Sequence, residues 1–280
     1  MRTSKSGRNV TFTTRLKPLT NQEKGKTMNY EPNYLLTVGS DAKTVKGEKY
    51  NYLTGIHYAL PHREVYEHKF AAKLLRDAGI KNYNACWWAG NCKLPCLNTS
   101  GRGAFDTTQV ARAKRTLYKV LNSGEFRMKM IREVAALERK ALRKAMKPCV
   151  RPNGTTDEDY VWLVDIFQHI QFYDYTKSIK RLMLNRRHNY HLTFSYDGPR
   201  NWHDCKLALD NGHNVAIVFS GDPDTWPKTL RNRKVIKGDD SDLRFKDPKG
   251  RVIGLTAKGR AKKDTSGFVW QLKQGINTPN

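Results

Sequence analysis

Short apolar runs, separated by helical or turn segments, constrain the fold of this 280-residue sequence more than any other feature. The run Val215-Ala216-Ile217-Val218-Phe219 is apolar at every position, so both of its faces are suited to burial, as in a parallel sheet covered on both sides. The alternation of such runs with helical segments predicts an α/β fold, either an incomplete (β/α) barrel or a largely parallel sheet. The expected strands are residues 161–166, 171–175, 190–196, 214–219, 233–236 and 252–257, with helical or turn segments at 178–187 and 203–211.

The first half of the chain combines strand-like and helix-like segments. Ser123 and Gly124 interrupt a long helical pattern and divide it into an inserted helical pair. The second helix of the pair repeats apolar residues at helical spacing, which predicts a buried stripe with Arg and Lys on the other positions. The stripe comprises Phe126, Met130, Val134, Leu137 and Leu142. The expected elements are strands at 34–39 and 50–60 around a lysine-bearing turn, a helix at 66–79 with Gly79 as its C-cap, and helices at 107–121 and 125–147.

We expect residues 29–280 to form a single α/β domain preceded by a flexible basic arm at residues 1–28. The arm is rich in Lys and Arg and would be able to lie along a phosphate backbone, although an ordinary frayed terminus has the same composition. The domain divides into a cysteine loop at 86–103, the helical pair at 107–147 and a strand-rich half at 150–275.

The net charge indicates a polyanionic partner. There are 51 Lys and Arg residues against 26 Asp and Glu residues, which gives a formal charge of +25. A field of this size attracts phosphate backbones, so we expect contact with DNA or RNA, with a merely solvated surface as the alternative. The expected contact residues are Arg8, Arg15 and Lys17 on the arm, and Arg186, Arg187, Lys258 and Arg260 in the strand-rich half.

The cysteine content favours a reducing compartment. The five cysteines are an odd number, and the basic N-terminus has no apolar segment behind it. The longest apolar run lies around residues 215–219, far short of a membrane span. We therefore expect no membrane contact and a location in the cytoplasm. The sequence does not predict an oligomeric state.

Three of the cysteines lie close together, at Cys86, Cys92 and Cys96. Three thiolates on one loop can hold a [4Fe–4S] cluster and leave one iron open for a further ligand. They could equally supply three of the four ligands of a zinc ion, with a histidine or Cys149 as the fourth. A third interpretation is that they are buried free thiols. The intervening Asn, Lys and Pro are typical of a loop, which favours a cluster or metal site.

Polar residues follow the expected strands and supply candidates for catalysis. Asn153 lies in a polar segment after a helix break, Asp174 and Lys177 end one apolar run, and Ser195 ends the next. Ligands of α/β sheets bind beyond the carboxyl ends of the strands, so these four side chains could meet in one pocket. Ordinary turn chemistry explains the same residue types.

An acidic cluster near the C-terminus gives a weaker indication. Asp239, Asp240 and Asp242 could coordinate Mg²⁺ in a nuclease, or could form a turn that pairs with nearby cations. The sequence has no Walker loop, Gly-x-Ser-x-Gly elbow or His-Glu-x-x-His motif, so the usual support for an NTPase or a hydrolase is absent.

Several passages of the sequence carry a resemblance to a known family. They are residues 96–103 (CLNTSGRG) with the cysteine loop, 151–157 (RPNGTTD), 172–177 (FYDYTK), 189–195 (NYHLTFS), 214–219 (NVAIVF) and 238–245 (GDDSDLRF). Through them the sequence resembles the Gp88-like group of phage-encoded proteins over roughly residues 33–275. The resemblance implies a phage origin and a location in the host cytoplasm.

A more distant likeness is to radical S-adenosylmethionine enzymes, which carry a [4Fe–4S] cluster on a three-cysteine loop at the mouth of a partial (β/α) barrel. Their loop is typically Cys-x3-Cys-x2-Cys, whereas this one is Cys-x5-Cys-x3-Cys. The likeness implies a nucleic-acid-associated enzyme that uses the cluster and S-adenosylmethionine. The alternative function is a non-catalytic DNA- or RNA-binding protein whose cysteines are structural or bind zinc.

Overall fold

A computed structural model describes residues 30–272 of the chain, so the expected basic arm at 1–28 lies outside the described residues. The described strands belong to one open sheet whose path runs from β1 at one edge to β7 at the other. The strands are β1 Leu36–Val38, β2 Tyr52–His57, β3 Lys147–Arg151, β4 Gln171–Thr176, β5 Tyr190–Ser195, β6 Val215–Phe219, β7 Thr229–Leu230, β8 Arg233–Lys237, β9 Val252–Thr256 and β10 Val269–Trp270.

The centre of the sheet consists of parallel strands placed side by side. β2, β3, β4, β5 and β6 are neighbours in chain order, and β9 and then β8 continue the parallel array beyond β6. The antiparallel pairs are at the two edges, β1 with β2 and β7 with β8, while β10 pairs in parallel with β6. The prediction of a largely parallel α/β sheet is confirmed, and the sheet is open.

Helices connect the strands and cover the sheet. α4 packs against β1, β2 and β3, while α6 and α7 pack against the strands from β4 to β6. The helices are α1 Ala42–Glu48, α2 Lys69–Asp77, α3 Asp106–Leu121, α4 Ser123–Arg143, α5 Val161–Ile166, α6 Ile179–Leu184 and α7 Trp202–Asp210.

The apolar runs form strands because both faces of the sheet are covered. Val215, Ala216, Ile217 and Phe219 of β6 are all buried, although successive side chains of a strand point to opposite faces. On the face that α4 does not cover, Phe245 from a turn of 3-10 helix packs on Tyr52 and Tyr173. Central strands buried on both sides explain the continuous hydrophobic runs of the sequence.

The helical pair is present with one correction at its C-terminal end. Phe126, Met130, Val134 and Leu137 are buried as predicted. Leu142 was expected in the same stripe, but it is 67% exposed. Its neighbour Ala141 takes the buried position, since a step of four residues from Leu137 keeps the side chain on the packed face of the helix. α4 ends at Arg143, four residues before the predicted end of the pair.

Other elements also differ from the prediction. The central strand β3 and the short strands β7 and β10 were not expected as strands. Residues 161–166, expected as a strand, form α5, because a short apolar run has no periodicity that separates a strand from a buried helix. The expected lysine-bearing turn before β2 is the helix α1. Asp41 caps α1, since its side chain accepts hydrogen bonds from the backbone N–H groups of Lys43 and Thr44. Among residues 30–272, no helix has the length and apolar character needed to span a bilayer.

Candidate functional site

A cavity of about 230 Å³ lies at the carboxyl ends of the parallel strands. Residues at or just beyond the ends of β3, β4, β5 and β9 line it, together with the cysteine loop and one face of α1. This is the edge at which α/β sheets bind ligands, and it is where the sequence placed the candidate pocket. The lining includes Cys86, Cys92, Cys96, Asn153, Lys177 and Ser195 from the predicted site.

Hydrogen bonds tie the cysteine loop to the strand ends. Asp197, just after β5, accepts a hydrogen bond from the backbone N–H of Cys92 at 2.7 Å. The thiol of Cys86 approaches the carbonyl oxygen of Thr155 at 3.8 Å. The backbone N–H of Asp157 donates to the carbonyl of Ala85 at 3.0 Å. The loop is therefore fixed to the segments that follow β3 and β5, and its three thiols share one cavity.

The thiols are protonated at neutral pH in the protein without a ligand. Burial raises the pKa of Cys86 to about 12 and that of Cys92 to about 11, and it also raises the pKa of Cys96. The ammonium of Lys177 acts in the opposite direction on all three thiols. Binding of a metal or cluster would convert them to thiolates and release their protons.

Lys177 lies at the centre of the thiol end of the cavity. Its ammonium donates a hydrogen bond to Oγ of Ser195 at 3.1 Å, so two of the predicted catalytic residues are in contact. Burial alone would lower the pKa of Lys177, but the carboxylates of Asp197 and Asp157 oppose this, and a Cys92 thiolate would raise the pKa further. Lys177 is thus a permanent cation beside the thiols and does not serve as a base.

Asp157 positions the end of β4. Its carboxylate accepts hydrogen bonds from the backbone N–H of Lys177 at 2.8 Å and from the Arg181 guanidinium at 2.5 Å. The sequence included Asp157 in a polar segment but did not single it out. Its position beyond β3, facing the end of the neighbouring strand, was the signal that could have identified it.

The other two predicted catalytic residues have a different surrounding. Asp174 does not line the cavity: it is fully buried and accepts hydrogen bonds from the backbone and side-chain amides of Asn153 and from the Tyr190 hydroxyl. Asn153 lines the cavity, but its amide also bonds the hydroxyl of Thr156 and the backbone of Glu158. Both side chains are occupied in holding the loop after β3.

A second group of charged residues forms the end of the cavity next to α1. The Arg151 guanidinium pairs with Asp242 at 2.8 Å and stacks 4.7 Å from the ring centroid of Tyr175. Asp239 pairs with Lys258 and accepts a hydrogen bond from the backbone N–H of Thr256 at 2.7 Å.

The acidic cluster does not converge on a cation. Asp239 and Asp242 each face a different cation, and Asp240 is exposed. In the described part of the chain, no three or more His, Cys, Asp or Glu side chains are grouped so that they could hold a metal ion. Of the two interpretations of this cluster, the arrangement favours carboxylates that pair with nearby cations over a Mg²⁺ site, because Asp239 and Asp242 already bind lysine, arginine and backbone partners.

The predicted nucleic-acid contacts are dispersed. Arg186 and Arg260 are exposed, whereas Arg187 pairs with Asp165 and Lys258 belongs to the cavity lining. Arg8, Arg15 and Lys17 lie outside the described residues.

Sequence reasoning missed Lys43, Arg151 and Asp242 as a group. Arg151 and Asp242 are 91 residues apart in the chain, and Lys43 stands in a segment that was expected to be a turn. No local pattern in the sequence connects them.

Comparison with known proteins identifies a family. A family model described as gene product 88 matches residues 34–272 of the chain. No curated protein and no solved structure gives a significant match. These comparisons do not support the expected distant likeness to radical S-adenosylmethionine enzymes.

Proposed function

The chain belongs to the gene product 88 family of phage proteins. We propose that its cavity is the active site of an enzyme, and that Cys86, Cys92 and Cys96 bind a [4Fe–4S] cluster there. One observation carries the proposal: of the five cysteines of the chain, the three on one loop all line the same cavity. Cys149 and Cys205 are buried elsewhere, in β3 and α7.

The donor set suits a cluster better than a single ion. A zinc ion needs its ligands to converge on one point, and the described residues contain no such group. A [4Fe–4S] cluster binds each thiolate at a different iron, so its ligands stand further apart. Bound by three thiolates, it would keep one iron open to a further ligand such as S-adenosylmethionine and supply one-electron chemistry.

The residues around the thiols have defined roles in this proposal. The ammonium of Lys177 offsets part of the negative charge of three thiolates, which lowers the cost of burying them. Asp157 and Ser195 hold Lys177 in place through its backbone N–H and its side chain. Asp197 fixes the backbone of Cys92, so the loop keeps its position when the thiols lose their protons.

The test is anaerobic purification and reconstitution with iron and sulfide, followed by iron and sulfide analysis and an absorption spectrum. We expect a broad band near about 400 nm, typical of thiolate-ligated clusters. Cys92→Ala should lose the band, whereas the control Cys205→Ala should keep it, because Cys205 is buried in α7 outside the cavity lining. A wild-type protein that takes up no iron, or a Cys205→Ala variant that loses iron as fully as Cys92→Ala, would refute the proposal.

We further propose that the protein contacts nucleic acid in the host cytoplasm. One face of α4 supports this: its Arg132, Arg139, Lys140 and Arg143 are all exposed. Five unpaired cysteines are consistent with a reducing compartment. Binding to single- and double-stranded oligonucleotides should weaken steeply with salt, and replacing the four cations with Gln should reduce the slope of log affinity against log salt. An unchanged slope would exclude this face.

A further inference from the structure

The end of the cavity next to α1 carries an excess of positive charge. Its cations are Lys43 and Lys46 on α1, Arg151 at the end of β3 and Lys258 after β9; we call these four residues the lysine wall. Two carboxylates, Asp239 and Asp242, line the cavity beside them. The four positive charges of the lysine wall therefore exceed the negative charges of the two carboxylates by two.

Three members of the lysine wall are already occupied. Arg151 bonds Asp242 and the carbonyl oxygen of Asn153, the latter at 3.2 Å. Lys46 donates to the carbonyl oxygen of Asp239, and Lys258 pairs with the carboxylate of the same residue. These contacts hold α1, the loop after β8 and the end of β9 together around the cavity.

Lys43 is different. It is half-buried and lines the cavity, yet its ammonium has no hydrogen-bond or ion-pair partner among the described residues. Burial, with Arg151 adding to it, lowers the pKa of Lys43 to about 8, although the carboxylates of Asp242 and Asp41 act in the opposite direction. An ammonium group that is partly buried without a partner lowers the stability of the fold. Residues that are retained in spite of such a cost are commonly functional.

We propose that Lys43, supported by Lys46 and Lys258, binds a phosphate group of the substrate. A phosphate dianion supplies the two negative charges that the wall lacks, and lysine ammonium groups are ordinary phosphate ligands. The proposal deepens the proposed function, on which it rests in placing the substrate in this cavity, by naming the substrate class as a phosphorylated molecule. The phosphate could belong to a mononucleotide or to the backbone of a single strand.

Calorimetric titration tests the subsite in the full-length protein without a cluster. The probes are inorganic phosphate, adenosine 5′-monophosphate and a short single-stranded oligonucleotide, each at fixed ionic strength. Lys43→Met removes the charge but keeps a side chain of similar length. Lys69→Met is the matched control, because Lys69 is exposed on α2 and lies neither in the cavity lining nor on the basic face of α4. Thermal melts of both variants verify that they fold.

We expect Lys43→Met to weaken binding of at least one probe by about tenfold or more, and Lys69→Met to change it by less than about twofold. Dependence on Lys43 with phosphate or the mononucleotide assigns a small phosphorylated substrate, and dependence with the oligonucleotide alone assigns a strand. If no probe binds, or if both variants weaken the binding of the probes equally, the phosphate subsite is refuted. Iron uptake by Lys43→Met is scored separately, so failure of the cluster and failure of the subsite are distinguishable.

Discussion

Replacing Lys43 with Met should stabilise the fold. The ordinary pKa of the side chain is 10.5, and in the folded protein it is lowered to about 8. One pKa unit corresponds to about 1.4 kcal/mol, so holding the proton in the folded state at pH 7 costs at most about 3 kcal/mol. Because the side chain is only half-buried, solvent screens part of this cost, and we expect a gain of about 1 kcal/mol in the variant. That corresponds to an increase of about 2 °C in Tm.

The dependence on pH gives the sharper test. Folding lowers the pKa of Lys43, so the free-energy cost of keeping it protonated in the folded state has its full value below pH 8. This cost disappears as the pH rises towards 10.5, where the unfolded chain also loses the proton. Urea unfolding of wild type, Lys43→Met and the exposed control Lys69→Met at pH 7 and about pH 9.5 measures this. The stability gain of Lys43→Met should be largest at pH 7 and smaller at pH 9.5, and Lys69→Met should differ little from wild type. A Lys43→Met protein that is less stable than wild type at pH 7, or a gain independent of pH, would refute the reasoning.

Three further outcomes are expected. Asp242→Asn should destabilise the protein by about 3–5 kcal/mol in urea unfolding, since it leaves the buried guanidinium of Arg151 unpaired, and adding Arg151→Met should recover part of the loss. Gly154→Ala should lower the Tm by several degrees, because its Cβ would lie 2.4 Å from a tyrosine ring, whereas Gly124→Ala, with open space around it, should not. Alkylation of Cys92 by iodoacetamide, followed by mass spectrometry, should accelerate about tenfold per pH unit through pH 10, because burial raises its pKa to about 11; a plateau near pH 9 would contradict this.

Several central strands were predictable because they depend on local composition, but β3 was not predicted. The run at 215–219 must be buried on both faces, and only a central strand of a covered sheet provides that. The same argument failed for residues 161–166, which form α5 with Leu163 and Val164 buried. One helical turn and one short strand bury comparable apolar runs, and the choice between them is made by tertiary packing.

The location of the cavity was predictable from the sequence, but the contacts between the side chains around it were not. Parallel strands bring Lys177 and Ser195 to one edge, and their contact follows from the neighbouring positions of β4 and β5. Asp174 also ends an apolar run, yet strand alternation turns its side chain away from the cavity, towards Tyr190. A prediction based only on which residues end an apolar run cannot tell side chains that face the cavity from those that face away from it.

The pairing of the carboxylates in the cavity is the reason why we propose an anion, and not a cation, as its ligand next to α1. Four of them line it in the described part of the chain, and each already has a partner: Glu64 accepts from an asparagine amide, Asp157 from Arg181, Asp239 from Lys258 and Asp242 from Arg151. A cation entering the cavity would have to displace a lysine, an arginine or an amide N–H group from one of these carboxylates. An anion meets an ammonium that has no such partner, and gains a charge-assisted hydrogen bond without breaking one. In the sequence, the aspartates at 239–242 form a cluster that could suit Mg²⁺. In the fold, Asp239 pairs with Lys258 and Asp242 with Arg151, while the Lys43 ammonium has no hydrogen-bond or ion-pair partner among the described residues.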